Sequence, residues 1–195
     1  GHSAMRQDAA VTAPHIEAWQ VTLRPLEEGD LDKLRQWRTS DYVREKMVST
    51  SLITAEQQAA WFQKISHDPS QMHWIIEYKG RPVGSTNVKV PVIGETVVSA
   101  RVLEPGLYIG EPDYQGNILA FAPTLAMYDY CFSHFSVTEF SAAVKPDNDA
   151  ALKYNRQLGY EISGQDDFVR LRLQKEAYER QTVTLKSFLS RPRKS

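Results

Sequence analysis

The residues from Gly106 to Ala120, GLYIGEPDYQGNILA, have the composition of an anion-binding turn. An apolar run with strand character leads through Gly116 into a segment that predicts the start of a helix. The first turn of a helix offers backbone N–H groups without helical partners and the positive end of the helix dipole. These features suit a phosphate or a pyrophosphate, while a turn glycine alone also has an ordinary structural interpretation.

Positive charge is concentrated in a second stretch, LRQWRTSDYVREKM, which runs from residue 34 to residue 47 and holds Arg35, Arg38 and Arg44. Guanidinium groups bind phosphates and carboxylates through paired hydrogen bonds, so an anionic ligand is one interpretation. The other is an ordinary helix face, since arginines next to acidic residues are often solvated ion pairs. Trp37 lies in helical register with Leu34, which indicates a core position for the indole.

Both stretches depend on neighbouring elements to position them. Period-two alternation predicts a first strand that ends near Pro25 and a hairpin around Lys79-Gly80. Further strands are predicted at residues 101–110, 139–144, 160–162 and 168–173. Helices are predicted after Asp30, after Asp41, after the capping box Thr54–Gln57, from Leu119 to Phe135, and from Asn148 to the C′ glycine Gly159.

The order of these elements predicts the fold class. Strands adjacent in sequence should pair antiparallel, whereas the strand–helix–strand segment at residues 107–144 needs a crossover and hence a parallel pair. At Pro105-Gly106 a ladder hydrogen bond is lost, which predicts a bulge or a splay of the strand. We therefore expect a mixed α/β (α+β) fold with a mostly antiparallel central sheet flanked by helices.

Composition limits the classes of function. A chain of 195 residues supports one core, so we predict a single domain at 19–175, a tag remnant and loose leader at 1–18, and a polar C-terminal tail at 176–195. The formal charge of −1 argues against nucleic acid and anionic membrane as partners. We expect a cytoplasmic monomer or homodimer without a metal, in which Cys131 is a buried and unreactive thiol.

Taken together, the motifs resemble the GNAT superfamily of N-acetyltransferases. Gln115, Gly116 and Ala120 match its pyrophosphate loop, although Ile118 stands where a glycine is usual. The segment NDAALKYNRQLGY is similar to a second family motif, and Glu104 with Gly106 matches the start of the acetyl-binding strand. The residues that the resemblance assigns to acetyl-CoA are Leu107, Tyr108, Ile109, Gln115, Gly116, Asn117, Ile118, Leu119, Ala120 and Asn148.

The resemblance also implies a direct transfer of the acetyl group from acetyl-CoA to an amine. This reaction needs a neutral amine, a polarised carbonyl and protonation of the leaving thiolate. Glu104 is the predicted base, with an ordinary surface carboxylate as the alternative. Tyr154 is the predicted acid, but many relatives carry this tyrosine one residue later, at the position of Asn155. One residue turns a helix by about 100°, so Tyr154 could equally point into the core.

The acceptor is predicted from the stretch around Trp37, which is similar to that of the pseudaminic acid pathway acetyltransferases. Those relatives acetylate a UDP-linked 4-amino sugar, so the favoured acceptor is a small-molecule amine of the sugar-nucleotide class. The expected substrate-binding residues are Trp37, Arg38, Arg44, Met47 and His73. A similar pattern occurs in ribosomal-protein-type and aminoglycoside acetyltransferases, which makes protein N-termini and small amines the alternatives. A catalytically degenerate CoA-binding module is a further one.

Overall fold

The computed structural model describes residues 12–39 and 53–190. Its strands are β1 Ile16–Ala18, β2 Val21–Pro25, β3 Gln71–Tyr78, β4 Arg81–Lys89, β5 Val102–Ile109, β6 Glu139–Val144, β7 Glu161–Gln165 and β8 Val169–Gln174. Its helices are α1 Leu31–Thr39, α2 Ala55–Ile65, α3 Ala122–His134, α4 Asp149–Leu158, α5 Lys175–Gln181 and α6 Val183–Leu189. Short 3-10 helices lie at Glu28–Asp30, Pro112–Tyr114 and Ile118–Phe121.

The strands form one sheet in the order β1-β2-β3-β4-β5-β6-β8-β7. β5 and β6 are parallel, with α3 as the crossover between them, and the other neighbouring pairs are antiparallel. The predicted mixed, mostly antiparallel sheet with flanking helices is therefore confirmed.

Two tight turns explain the first hairpins. Lys79 and Gly80 have φ angles of 50° and 77°, and Trp19 and Gln20 have φ angles of 53° and 74°. Positive φ at both central residues matches the twist of the flanking strands. The hairpin at Lys79-Gly80 was predicted, whereas β1 falls in the stretch predicted to be a loose leader. The Trp19-Gln20 turn carries no glycine or asparagine to signal it.

Helices cover both faces of the sheet. On one face α3 closes the main core, in which Trp74, Leu103, Leu125 and Phe140 are fully buried. On the opposite face a smaller cluster joins Leu34 and Trp37 of α1 to Ile75 of β3. Successive residues of a strand point to opposite faces, so the two clusters show which strand residues face α3 and which face α1.

The chain after residue 175 continues the packed fold. Tyr178 and Leu189 are buried, and the Tyr178 hydroxyl donates to Asp129 Oδ1 on α3 at 2.6 Å. The Lys186 ammonium binds the same oxygen at 2.9 Å, and the Trp19 indole donates to the other oxygen of Asp129. Of the predicted polar tail, the described residues 176–190 lie in or next to two helices, in which Tyr178 and Leu189 find partners that sequence periodicity cannot identify. Across the two described ranges, no helix has the length and apolarity needed to cross a membrane.

Candidate active site

The centre of the candidate site is a gap between β5 and β6. The two strands pair only at Val102–Glu139 and Leu103–Phe140, after which β5 follows β4 and β6 follows β8. Backbone groups along a strand point alternately to its two neighbours, so Pro105 occupies the next position that would donate to β6. Proline has no N–H, and the parallel ladder ends there. The β4–β5 ladder shows no register shift, so the predicted interruption is a splay and not a bulge.

The alternation continues along β5 and leaves backbone groups facing the gap. The Gly106 carbonyl accepts a hydrogen bond from Thr86 Oγ1 at 2.9 Å, and the Gly110 N–H donates to the Val83 carbonyl at 2.8 Å. Both partners lie on β4. The backbone of Leu107 and Ile109 therefore points the other way, into the gap, while that of Tyr108 points toward β4. Of the three residues assigned to main-chain contacts with the cofactor, Leu107 and Ile109 have the required direction.

The predicted phosphate loop, residues 115–120, lies beyond the end of β5. Gly116 has a φ angle of +76° and open space around the position of a Cβ. Asn117 Oδ1 accepts a hydrogen bond from the Leu119 N–H at 2.7 Å and begins the 3-10 helix that precedes α3. In the part of the chain that the structure describes, the N–H groups of Gly116 and Asn117 have no hydrogen-bond partner. The loop therefore offers backbone donors to an anion.

Ile118 is the departure from the family pattern in this loop. Its side chain is partly buried and, like that of Leu119, packs against the main core. The branched side chain therefore points away from the exposed backbone at Gly116. Pro123 follows in the first turn of α3, so the α-helix begins at Ala122 and not at the predicted Leu119.

Asn148 and Tyr154 belong to α4, on the β6 side of the gap. Asn148 is the N-cap of this helix, and its Oδ1 accepts from the Ala151 N–H at 3.1 Å, which leaves its amide nitrogen free to donate to a ligand. The Tyr154 hydroxyl donates to the Ala120 carbonyl at 2.9 Å and lies 2.8 Å from Thr124 Oγ1. Burial raises the pKa of Tyr154 well above its ordinary value. Its role as the acid stays a prediction.

The face of the sheet that carries α1 and α2 forms the second half of the site. Cross-strand pairing aligns His73 of β3 with Asn87 of β4 and Gly106 of β5. The next row along the same face joins Gln71, Lys89 and Glu104. We refer to this surface as the acceptor face. Glu104 is exposed there and lies opposite Lys89, and its role as the base stays a prediction.

Trp37 closes one end of the acceptor face. It is 4% exposed, and its indole nitrogen donates to Glu111 Oε2 at 2.9 Å, which holds α1 against the end of β5. Arg38 lies near the Tyr108 hydroxyl. Burial raises the pKa of this hydroxyl to about 12, and the positive charge of Arg38 offsets part of the rise. The Arg38 Nε is buried, and it has no hydrogen-bond partner in the described residues. Arg44 and Met47 lie outside the described ranges.

His73 is a titratable group of the acceptor face. Its Nε2 lies 2.8 Å from Gln71 Oε1, and its ring is nearly perpendicular to that of Trp61 from α2, with 5.1 Å between the ring centroids. Burial, with a smaller effect of Lys89, lowers the pKa of His73 to about 4, so the imidazole is neutral at physiological pH. Sequence reasoning identified His73 but missed Gln71 and Asn87. Their signal was the period-two spacing that places Gln71 and His73 on one strand face.

A covalent route through cysteine has no support in this site. Cys131 is fully buried in α3, and burial raises the pKa of its thiol to about 12. A protonated, inaccessible thiol is a poor nucleophile. Residues 12–39 and 53–190 also contain no group of three or more His, Cys, Asp or Glu side chains placed to hold a metal ion.

Comparisons with known proteins agree with this geometry. The family described as "Acetyltransferase (GNAT) domain" matches residues 20–161. The spermidine N(1)-acetyltransferase of Escherichia coli strain K12 is 26% identical over 148 residues, which cover 76% of each chain.

Among solved structures, the aminoglycoside acetyltransferase AAC(6')-Ib with coenzyme A and kanamycin has a TM-score of 0.70. It is 21% identical, and the match covers 82% of this chain and 98% of that one. The spermidine N-acetyltransferase of Vibrio cholerae with CoA and spermine also has a TM-score of 0.70, at 20% identity, covering 83% and 99%. The family match spans most of the domain, and it includes the splayed strand and the loop after it. The chain belongs to the GNAT acetyltransferase family.

Proposed function

We propose that the protein transfers the acetyl group of acetyl-CoA to a primary amine of a small, amine-rich molecule, such as a polyamine or an aminoglycoside. The observation that carries this proposal is the gap between β5 and β6, which opens at Pro105 beside a loop with free backbone donors. Acetyl-CoA needs such donors at its thioester carbonyl and at its pyrophosphate. β5 borders the gap and also carries Glu104 and Gly106 of the acceptor face, so an amine on that face would approach the gap.

The proposed reaction is a direct transfer. The neutral amine attacks the thioester carbonyl, whose developing negative charge the N–H groups of Leu107 and Ile109 would stabilise. The C–N bond forms, the C–S bond breaks, the nitrogen loses one proton to water, and the thiolate of coenzyme A takes up one proton. Glu104 would accept the proton that the ammonium form of the substrate loses, directly or through water. The proton for the thiolate would come from Tyr154, the predicted acid, or from solvent, since the Tyr154 hydroxyl donates to the Ala120 carbonyl.

Relatives support the small-amine acceptor over the sugar nucleotide favoured by sequence alone. The relatives described above are named for spermidine and aminoglycosides. Both are small molecules with several amino groups. The pattern around Trp37 that favoured a UDP-linked sugar is explained in part by packing, because Trp37 is buried and bonded to Glu111.

The test is a panel of acceptors with acetyl-CoA as the donor. We expect release of free coenzyme A with spermidine or an aminoglycoside, together with a product one acetyl group heavier by mass spectrometry. Binding of acetyl-CoA without transfer to any amine would instead favour the degenerate CoA-binding module. Absence of acetyl-CoA binding by calorimetry would contradict both.

One observation favours a second candidate acceptor, a nucleotide-linked amino sugar. The buried, unpartnered Nε of Arg38 is an orphan donor that an anionic group would satisfy. If this acceptor is used, Arg38→Ala should weaken binding of a UDP-amino sugar at least tenfold and leave acetyl-CoA binding unchanged. Arg35→Ala is the matched control, since Arg35 already pairs with Asp32 on the same helix. Equal UDP-sugar affinity in both variants would eliminate this candidate.

A further inference from the structure

A chain of three hydrogen-bonded side chains leads to the acceptor face. Asp68 Oδ2 accepts a hydrogen bond from Gln71 Nε2 at 2.9 Å, and Gln71 Oε1 lies 2.8 Å from His73 Nε2. Asp68 is itself held by Ser70, whose backbone N–H and hydroxyl both donate to Oδ1. These bonds keep the pKa of Asp68 below its usual range, and the bond from the Ser70 hydroxyl has the largest effect. We call these residues the Asp68–Gln71–His73 chain.

The charge of Asp68 decides which ring nitrogen of His73 carries the proton. A carboxylate only accepts hydrogen bonds, so the Gln71 side chain must present its NH₂ group to Asp68 and its carbonyl to His73. That carbonyl in turn requires a proton on Nε2. Nδ1 of the neutral ring is then a hydrogen-bond acceptor. In the described residues Nδ1 has no hydrogen bond, and it is not among the atoms sealed from solvent.

His73 also has a defined distance from the reacting strand. It lies on β3 in the row that continues through Asn87 to Gly106, and each strand spacing is about 4.8 Å. Its backbone is therefore roughly 10 Å from β5, where the thioester would lie. Asn87 fills the intervening position, and its side chain lies across Gly106, where a Cβ would be 2.6 Å from the Asn87 amide nitrogen. The row can contact an acceptor that extends several bonds beyond its reacting nitrogen.

We propose that His73 Nδ1 accepts an N–H hydrogen bond from a second amino group of the acceptor, and that Asp68 and Gln71 are positioning residues that fix the required tautomer. The inference rests on the proposed function and specifies the substrate class as molecules with at least two amino groups. A monoamine reaches β5 but leaves His73 without a partner. The Asp68–Gln71–His73 chain thus selects polyamine-like acceptors over simple amines.

The electrostatics around His73 fit this role. Burial keeps the ring neutral, with a pKa of about 4, so Nδ1 retains its lone pair at physiological pH. Asp68 raises this pKa in part, whereas Lys89 on β4 lowers it, and Glu104 on β5 faces Lys89 from the next strand. A group with so low a pKa does not take the proton from an alkylammonium ion. It orients the substrate, and proton removal is left to Glu104 or water.

Kinetics with two acceptors tests the selection. For spermidine, we expect His73→Leu and Gln71→Met each to lower kcat/KM about tenfold, mainly through KM, as loss of one directed hydrogen bond does. For pentylamine, which has no second amino group, the loss of kcat/KM should be several-fold smaller. His67→Leu is the matched control, because His67 is exposed and is not part of the Asp68–Gln71–His73 chain. An equal loss for both amines would overturn the proposal.

Nuclear magnetic resonance tests the tautomer without any turnover. Two-bond ¹⁵N–¹H spectra of ¹⁵N-histidine-labelled protein should show His73 with its proton on Nε2, and Gln71→Met should shift the ring toward a mixture of tautomers. His73→Leu assigns the signal among the five histidines. Spermidine added to the coenzyme A complex should shift the Nδ1 resonance, and pentylamine should not. A proton on Nδ1, or no response to spermidine, would refute the proposal even if the protein acetylates other amines.

Discussion

The indole ring of Trp37 lies directly over Gly110, where a Cβ would be 2.2 Å from ring atoms. Only glycine allows this contact, through which α1 is held against the end of β5. We expect Gly110→Ala to lower the free energy of unfolding by about 1–3 kcal/mol, because the buried ring must move. Urea unfolding measures this change. Gly164→Ala is the control, since nothing lies within 4 Å of that position, and a loss of similar size there would contradict the packing argument.

The predicted phosphate loop depends on the backbone conformation of Gly116. We expect Gly116→Ala to weaken coenzyme A binding more than tenfold, because positive φ costs an L-residue about 1 kcal/mol and the loop would shift to relieve it. Gly80→Ala provides a matched control, with a φ angle of +77° against +76° and equally open surroundings in a hairpin turn. Calorimetry should show wild-type affinity for Gly80→Ala. Comparable weakening in both variants would mean that general destabilisation, not the loop, is responsible.

Tyr154 distinguishes loop support from acid catalysis. Its hydroxyl donates to the Ala120 carbonyl at the end of the phosphate loop, and its ring stacks on Phe121 at 4.4 Å. We expect Tyr154→Phe to raise KM for acetyl-CoA several-fold while kcat falls less than about tenfold. Tyr160→Phe, which also removes a buried hydroxyl but does not contact the loop, should leave both constants unchanged. A fall in kcat of more than about 100-fold at unchanged KM would instead establish Tyr154 as the acid.

His73 makes stability depend on pH. Its pKa is about 4 in the fold against an ordinary 6.5, so between these values the unfolded chain binds more protons than the native one. The free energy of unfolding therefore rises with pH across this window and falls as the solution is acidified, by up to about 3 kcal/mol. Urea unfolding at about pH 7 and about pH 4.5 should show a smaller difference for His73→Gln than for the wild type. An identical difference in the two proteins would contradict the low pKa.

Elements with local signals could be predicted from sequence. The Thr54–Gln57 capping box is formed, β6 has the predicted bounds, and Gly159 ends α4 with a φ angle of +109°. Each rests on contacts within a few residues of the chain. The order of β8 between β6 and β7 could not be predicted, because it depends on long-range packing. The helical C-terminal segment was missed for the same reason, since Tyr178 and Lys186 are fixed by Asp129.

The motifs of the candidate site could be predicted from sequence, but the directions of its side chains could not. The sequence predicted a turn at Gly116 and a bulge or a splay at Pro105, which depend on the backbone properties of glycine and proline. It did not establish that Ile118 points to the core, or that Tyr154 binds the Ala120 carbonyl. It also left two interpretations of Trp37 open, a core residue and a substrate-binding residue. The contact with Gly110 shows how the indole packs. Side-chain direction depends on neighbours that are distant in sequence.

The most direct test of the central claim is an acetyl-transfer assay with purified protein, acetyl-CoA and spermidine. Free coenzyme A should appear with saturation kinetics, and mass spectrometry should identify one added acetyl group on the polyamine. A UDP-linked 4-amino sugar and an aminoglycoside run alongside as competing acceptors. Transfer to the UDP-sugar alone, or to none of the three despite tight acetyl-CoA binding, would contradict the proposal of a small-amine acetyltransferase.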